Sequence, residues 1–333
     1  MKAYAILKYG KDPLELIEVD KPSATSNEVL VKVCAASINP IDFKIRNGKV
    51  KILLPYELPL ILGNDLSGIV CDIGSNVNKF KIGDPIYARV PKHKIGTFAE
   101  FIAVDESAVA IKPPSLTFEE AASIPLVGLT SYQAINDILR LQSGQKIFIP
   151  AGAGGVGTFA IQLAKSLGAY VATTASEAGR DLVSSLGADL IIDYKSNKFE
   201  NYLKDYDAVF DTLGGESLKR SFQILKEGGK VVSITGMPNS KFGKDYGVGF
   251  FKQILFALLT THLTILEKKY GVEYIFLFMK HNGDQLEKIS DLIEQKKIKP
   301  IIDRIYSFSE TQKAISYSES GRAKGKIIIK VSS

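Results

Sequence analysis

Short apolar runs separated by turn residues fill the first third of the chain. Met1–Leu7, Val29–Cys34, Leu66–Ile73, Pro85–Val90 and Phe98–Val104 are rich in β-branched and aromatic residues. Pro22, Asn39-Pro40, Gly48, Gly63, Gly74-Ser75-Asn76, Gly83-Asp84 and Gly96 divide them. This texture predicts an irregular, mostly antiparallel β domain. Thr117 followed by Glu120 predicts a capped helix start.

From about residue 124 the pattern becomes strand and helix in alternation. Strands are expected at Lys146–Pro150, Tyr170–Thr174, Leu190–Ile192, Ala208–Phe210 and Lys230–Ile234, with a last one in Gly271–Met279. Helices are expected at Gly155–Leu167, Gly179–Leu186, Lys198–Leu203 and Ser217–Leu225. Apolar strands in this rhythm imply a parallel sheet buried on both faces. Leu286, Ile289, Leu292 and Ile293 share one face of a helix over Asp284–Lys296. The tail returns to β character in Ile301–Phe308 and Gly325–Val331. A β-rich domain is therefore split in sequence by an inserted α/β domain. The long segment 236–270 should shape the pocket, but its residues do not spell out a substrate.

Composition narrows the class. The chain has 333 residues, 45% hydrophobic and 23% charged, close to an average soluble protein, which excludes wholesale disorder. Two cysteines, Cys34 and Cys71, and three histidines cannot build a disulfide framework or a zinc ribbon. The cysteines lie in apolar stretches and are expected to be buried thiols in a reducing cytoplasm. The net charge of +6 comes from scattered lysines without an arginine-rich run, so no nucleic-acid partner is expected. Ala3 to Leu7 is too short for a signal-peptide core. Phe250–Leu266 is strongly apolar but interrupted by Lys252, Gln253 and His262. It is expected to be a helix packed on the protein, walling an apolar cleft, or else to touch a membrane or a partner surface, rather than to span a bilayer.

The most informative motif lies between an apolar strand and an amphipathic helix. Gly152, Gly154 and Gly157 fit G-x-G-x-x-G in that context, with Gly155 and Val156 between the last two. Gly152 would allow a tight turn, Gly154 the approach of a pyrophosphate, and Gly157 close helix–strand packing, with the helix N-terminus facing the anion. The second strand ends in Thr174, Ala175 and Ser176 with no carboxylate at its tip, and Arg180 follows. Without an acid to accept a ribose hydroxyl or repel a 2′-phosphate, NADP(H) is favoured over NAD(H). Glu177 is the residue that argues the other way.

The chain resembles the medium-chain dehydrogenase/reductase superfamily over essentially its whole length. The landmarks are Glu28-Val-Leu-Val-Lys-Val, Ile38-Asn-Pro-Ile-Asp42, Leu62-Gly-Asn-Asp65, Phe80-Lys-Ile-Gly-Asp84, Gly128-Leu-Thr-Ser-Tyr132, the glycine turn and Gly325-Lys326. The resemblance is closest to the zinc-independent quinone oxidoreductase branch, including chloroplast-envelope homologues and enone reductases. It implies a GroES-like catalytic domain, 1–122 and 283–333, around a Rossmann domain, 123–282, with the active site between them and a homodimer formed through the last Rossmann strand.

Residue by residue, the resemblance implies an active-site role for Asn39, whose amide would donate to a substrate oxygen; a turn-capping Asn before Pro40 is the alternative. Lys44 matches a cofactor-binding lysine of the plant branch, or is a solvated lysine. Thr130 matches a residue beside the nicotinamide riboside, or bonds its own helix. Tyr194 would meet the adenosine, Leu213 and Gly214 would pass beneath it, and Thr235 and Gly236 would meet the nicotinamide. Lys324 and Lys326 match a basic loop near the cofactor, or form a solvated hairpin turn.

Zinc-dependent relatives would place metal ligands at Asn39 and Asn64. Carboxamides replace thiolate and imidazole there, so no metal is expected. Without a Lewis acid, the acceptor is expected to be already electrophilic: a quinone or an enone reduced by NADPH. An enoyl thioester is the second enzymatic reading, and a noncatalytic NADPH-binding sensor or structural protein the non-enzymatic one.

Overall fold

The protein is described by a computed structural model covering residues 1–332. It divides into two compact units: Met1–Leu129 together with the segment from Lys280 on, and Thr130–Met279. The chain begins with β1 (Lys2–Ile6), β2 (Glu15–Glu18), β3 (Glu28–Ile38), α1 (Pro40–Arg46), β4 (Leu60–Ile61), β5 (Asp65–Ile73), β6 (Pro85–Arg89), β7 (Phe101–Asp105) and β8 (Val109–Ile111). Then come α2 (Phe118–Ala122) and α3 (Pro125–Tyr132). Thr117 caps α2 as its sequence predicts: its hydroxyl accepts the Glu120 N–H at 3.2 Å and Glu120 returns a bond at 2.9 Å.

The inserted unit contains β9 (Lys146–Ile149), α4 (Gly155–Ser166), β10 (Tyr170–Ala175), α5 (Glu177–Ser185), β11 (Leu190–Asp193), β12 (Tyr206–Asp211), α6 (Gly215–Ser221), β13 (Leu225–Ser233), α7 (Ser240–Asp245), α8 (Phe250–Leu259), α9 (Thr261–Tyr270) and β14 (Glu273–Phe276). The strands are all parallel, in the order β11-β10-β9-β12-β13-β14. Counted within the unit this is 3-2-1-4-5-6, the dinucleotide-binding Rossmann order. Its core is built on Phe148, Val209, Phe222, Val231 and Tyr274.

The chain then returns to the β unit with α10 (Gly283–Glu294), β15 (Ile302–Ser307), α11 (Thr311–Glu319) and β16 (Lys326–Lys330). β16 pairs antiparallel with β3, Ile327 opposite Ile38, so the last strand closes the sheet that the third one opened. The order is β15-β16-β3-β5-β6-β8, with β7 also on β3, and β2-β1-β4 form a separate small sheet. Val31, Val33, Ile38, Leu66, Ile86, Phe98, Ile327 and Ile329 fill this core.

Some elements differ from their sequence expectation. The helix expected at Lys198–Leu203 is only a single 3₁₀ turn, Phe199–Asn201. A short polar segment held mainly by buried Phe199 does not propagate a helix. Asn39-Pro40 reads as a turn but starts α1, because proline at the first helical position lacks only an N–H that would go unused anyway. The segment 236–270 folds into α7, α8 and α9, and the one helix expected at Phe250–Leu266 is a pair, α8 and α9, bent by 60°.

Candidate active site

The coenzyme end of the Rossmann unit is shaped by three glycines with different reasons to be glycine. A Cβ on Gly152 would stand 2.2 Å from Thr173 Oγ1, and one on Gly157 would stand 2.5 Å from the Ala151 carbonyl. Both are demanded by packing. Gly154 is less constrained: its φ of −78° suits any residue, and a Cβ there would make one tight contact, 3.3 Å from the Ala151 oxygen, that a shift of a few tenths of an ångström relieves. The fold leaves that space open, as the close approach of a phosphate requires. Gly155, Val156 and Gly157 precede the first bond of α4, Thr158 N–H to Gly154 O, so the twelve-residue helix directs its leading amides at the same place. The residues present therefore fit a dinucleotide.

Neighbouring side chains hold this turn. Ala151 takes a left-handed φ of 55°, and its N–H donates to Thr174 Oγ1 at 2.9 Å. Thr174 is buried and sets the turn rather than facing open space. Ser176 precedes α5 and is half-buried, whereas Arg180 is exposed with its Nε 3.7 Å from the Glu177 carboxylate. Tyr194 is exposed just beyond β11.

Asp211, which the sequence reading passed over, organises the next two loops. Its carboxylate accepts the N–H groups of Leu213 (3.2 Å) and Gly214 (3.1 Å) and the Ser233 hydroxyl (2.6 Å). Ser233 in turn accepts the Gly236 N–H at 2.8 Å and the Thr235 N–H at 3.3 Å. Burial pushes the Asp211 carboxyl above its ordinary value, against the pull of these donors. Thus Leu213, Gly214, Thr235 and Gly236 are fixed by one buried acid at the carboxyl end of β12. Its only signal was an acid at the end of an apolar strand.

In the β unit, β3, α1, β5, β6 and β16 bring a second group together. Asn39 Nδ2 donates to Asp65 at 2.9 Å and to the Ser37 carbonyl at 3.4 Å, while its Oδ1 accepts from Lys326 Nζ. Lys326 also lies 3.6 Å from Asp65 and donates to the Ile38 carbonyl. Asp65 further accepts from Ser37 Oγ and the Leu126 N–H, both at 2.9 Å. Asp42 accepts the Asn39 N–H and Asn64 Nδ2, each at 2.7 Å, and Arg89 reaches Asn64 Oδ1 at 3.1 Å.

This geometry changes two expectations. Both amide hydrogens of Asn39 are taken up internally and the residue is 1% exposed, so donation to a substrate oxygen has no N–H left to use. Asn39 precedes Pro40 at the start of α1 and sits inside the network, nearer its capping alternative. Lys326 is not in a solvated loop but inside the β unit, 5% exposed, because its strand β16 is central in the sheet. Lys324 is half-buried two residues earlier. Lys44 is half-buried on α1, its ammonium pulled down by burial and then by Lys49. Thr130 is buried on α3.

Burial is the first influence on each ion in the network. It pushes Asp65 up and Lys326 down, and each opposes that shift in the other. It pushes Asp42 up to about 7, against hydrogen bonds from Asn39 and Asn64. The donor set does not fit zinc. At positions 39 and 64 stand two carboxamides, hydrogen-bonded to an ammonium and a guanidinium. Among the described residues no group of three or more His, Cys, Asp or Glu could hold a metal ion.

Comparison with known proteins identifies the family. Residues 25–114 match the alcohol dehydrogenase GroES-like domain family, and residues 186–329 match the zinc-binding dehydrogenase family. Over 99% of the chain it is 36% identical to the human "NAD(P)H oxidoreductase RTN4IP1, mitochondrial", covering 89% of that protein. Over 99% it is also 36% identical to the 2-methylene-furan-3-one reductase of Solanum lycopersicum, covering 79%. The quinone oxidoreductase structure from Coxiella burnetii superposes with a TM-score of 0.86 at 34% identity, with 99% of each chain covered. The chain belongs to the zinc-independent quinone oxidoreductase branch of the medium-chain dehydrogenase/reductase superfamily. This chain is an oxidoreductase, and the relatives it matches are named as NAD(P)H, quinone and alkenal/one oxidoreductases. The expected cytoplasmic location is corrected: several matched relatives are named mitochondrial or chloroplastic, which points to an organelle.

Two outcomes test the oxidoreductase's site. Gly154→Ala should leave the melting temperature nearly unchanged yet weaken NADPH binding at least tenfold by isothermal titration, about 1.4 kcal/mol. Gly152→Ala, by contrast, should destabilise the fold itself. The second outcome concerns Asp42, whose folded value near 7 exceeds an unfolded value of about 4. The folded protein keeps a proton that the unfolded chain has released, so this contribution to stability is full below about pH 4 and is lost as pH rises towards 7. Thermal unfolding of wild type and Asp42→Asn at about pH 5 and about pH 8 should show wild type losing stability relative to the variant. A pH-independent difference would exclude it.

Proposed function

We propose that this enzyme passes hydride from NADPH to the β-carbon of an enone or to a quinone ring, and that its own residues polarise and protonate the acceptor. Two observations carry this reading, the metal-unfit network around Asn39, Asn64 and Lys326 in the β unit and the open nucleotide turn of the Rossmann unit. Bound NADPH supplies the hydride. The acceptor must then be electrophilic without a Lewis acid, and a hydrogen-bond donor must meet the oxygen on which charge develops. With both Asn39 N–H groups occupied, Lys44 is the member of the expected set with a proton to offer. Its depressed value makes it a better acid than an ordinary lysine. Thr130, in the Rossmann unit, is assigned to the coenzyme.

Arg180 and Ser176 are assigned to the 2′-phosphate, with Arg180 exchanging its weak contact to Glu177 for the phosphate. NADPH oxidation against a panel of quinones, enones and enoyl thioesters, with products identified, tests the acceptor class. Turnover of none of them by an enzyme that binds NADPH would remove the reading. Arg180→Ala should raise the Kd for NADPH roughly five- to tenfold, about 1–1.4 kcal/mol, and that for NADH less than twofold. Equal effects on both would return Arg180 to the surface.

A membrane-bound acceptor is a further part of this proposal. Phe250, Phe251 and Leu258 on α8 are 70%, 87% and 68% exposed, and residues 240–270 carry five lysines against two acids. An apolar helix face with basic neighbours suits peripheral contact with an anionic bilayer. Among the described residues no single helix is long and apolar enough to cross a membrane. Wild type should float with anionic vesicles and Leu255→Lys/Leu258→Lys should not; equal behaviour of the two would discard the contact. The homodimer is proposed on the open edge of β14, the last strand of its sheet, and light scattering of the purified protein checks it.

A further inference from the structure

Three loops at the carboxyl ends of β9, β12 and β13 are tied to one another in a chain of hydrogen bonds. The first loop is the glycine turn. At its base the Pro150 carbonyl accepts the Thr212 hydroxyl at 2.9 Å, and Ala151 follows with its left-handed φ and its bond to Thr174. The second loop runs from Thr212 to Gly215. Its Leu213 and Gly214 N–H groups both end on the Asp211 carboxylate, Gly214 at 3.1 Å from each oxygen. Gly214 has φ 71° and ψ −161°, a conformation open essentially to glycine alone. In the third loop the Thr235 and Gly236 N–H groups end on Ser233 Oγ, and that hydroxyl donates to Asp211 at 2.6 Å.

The second and third loops also touch directly. A Cβ on Gly214 would stand 3.0 Å from the Thr235 carbonyl oxygen, and one on Gly236 would stand 2.3 Å from the Tyr274 hydroxyl. That hydroxyl donates to the Met237 carbonyl at 2.8 Å. Asp211 and Ser233 are fully buried and Tyr274 is nearly so. Water does not compete for their bonds, and neither loop can shift without leaving a buried group unpaired. Asp211 and Ser233 have no surface with which to touch a ligand, so whatever they do for binding passes through the loops.

We propose that Thr212, Asp211 and Ser233 are positioning residues that couple the glycine turn to the loop at Thr235 and Gly236, so that anchoring the coenzyme's phosphate sets the nicotinamide. This inference rests on the coenzyme reading above and deepens it. A phosphate that orders the glycine turn fixes the Pro150 end of the chain, and the ordering cost of the Thr235–Gly236 end falls accordingly. The coupling is reciprocal, as any linkage between two binding events must be.

The test uses the full chain and two fragments of NADPH. Adenosine 2′,5′-bisphosphate brings a phosphate to the glycine turn. Reduced nicotinamide riboside brings the ring, reports its own binding by fluorescence and carries no phosphate to repel the first fragment. In wild type, saturating bisphosphate should tighten the Kd of the riboside roughly fivefold or more. Asp211 anchors two loops at once, so its neighbours are trimmed instead. Ser233→Ala removes the acceptor of Thr235 and Gly236. Thr212→Val removes the bond to Pro150 at nearly constant shape, and this half-buried position carries the test if Ser233→Ala does not fold. Each folded variant should bring the coupling below about twofold while its Kd for the bisphosphate alone changes less than about twofold. A general loss of stability would weaken both fragments together and does not produce that split. Independent binding of the two fragments in wild type, or coupling that survives in a folded variant, overturns the chain and leaves the coenzyme reading intact. Failure of wild type to bind NADPH or either fragment overturns both.

Discussion

A single buried ammonium ties the β unit together. Lys326 stands 287 residues from Asn39 in sequence, yet its Nζ meets the Asn39 carboxamide and lies 3.6 Å from Asp65. β16 brings it there by pairing with β3, and β3 leads directly into Asn39 and α1. Asp65, at the start of β5, also accepts the Leu126 N–H of α3, the helix that leads into the inserted unit. The tail of the chain, its first long strand and the exit to the Rossmann unit thus share one charge pair. Removing either member would leave a buried ion uncompensated, typically a loss of about 3–5 kcal/mol.

The same network sets the chemistry available. Its carboxylates are bonded to carboxamides, and the carboxamides in turn to an ammonium and a guanidinium, which leaves no place for a soft divalent cation. It also reassigns Asn39. An amide whose hydrogens both have buried acceptors is a fixed part of the scaffold, which is why acceptor polarisation is proposed for Lys44 instead. In the Rossmann unit the division is similar. Thr174, Asp211 and Ser233 shape the loops, and Gly154 keeps clear the space that those loops surround.

Much of this was legible in the residues. The β-rich ends and the α/β middle followed from hydrophobic period, because a strand buried on both faces and a helix buried on one leave different patterns. The glycine turn was legible for a local reason: its three glycines, the preceding strand and the following helix are contiguous, and each obeys a steric rule that acts within about ten residues. The carboxamides at 39 and 64 stood openly in the sequence as well. A helix at Phe250–Leu266 was legible, but its break into α8 and α9 and the exposure of Phe250, Phe251 and Leu258 were not, since apolar residues read as buried until the packing is known.

Sequence by itself therefore determined the fold class, the coenzyme turn and the metal-poor donor set, all of which depend on residue type and near neighbours. Tertiary structure alone decided which polar residues are scaffold and which are free to act. Lys326 reads as a loop lysine until β16 pairs with β3, and Asp211 reads as a strand-end acid until Leu213, Gly214 and Ser233 close around it. The reason is physical: burial and long-range pairing fix the charge state and hydrogen-bonding capacity of a side chain, and neither is a property of its sequence neighbours.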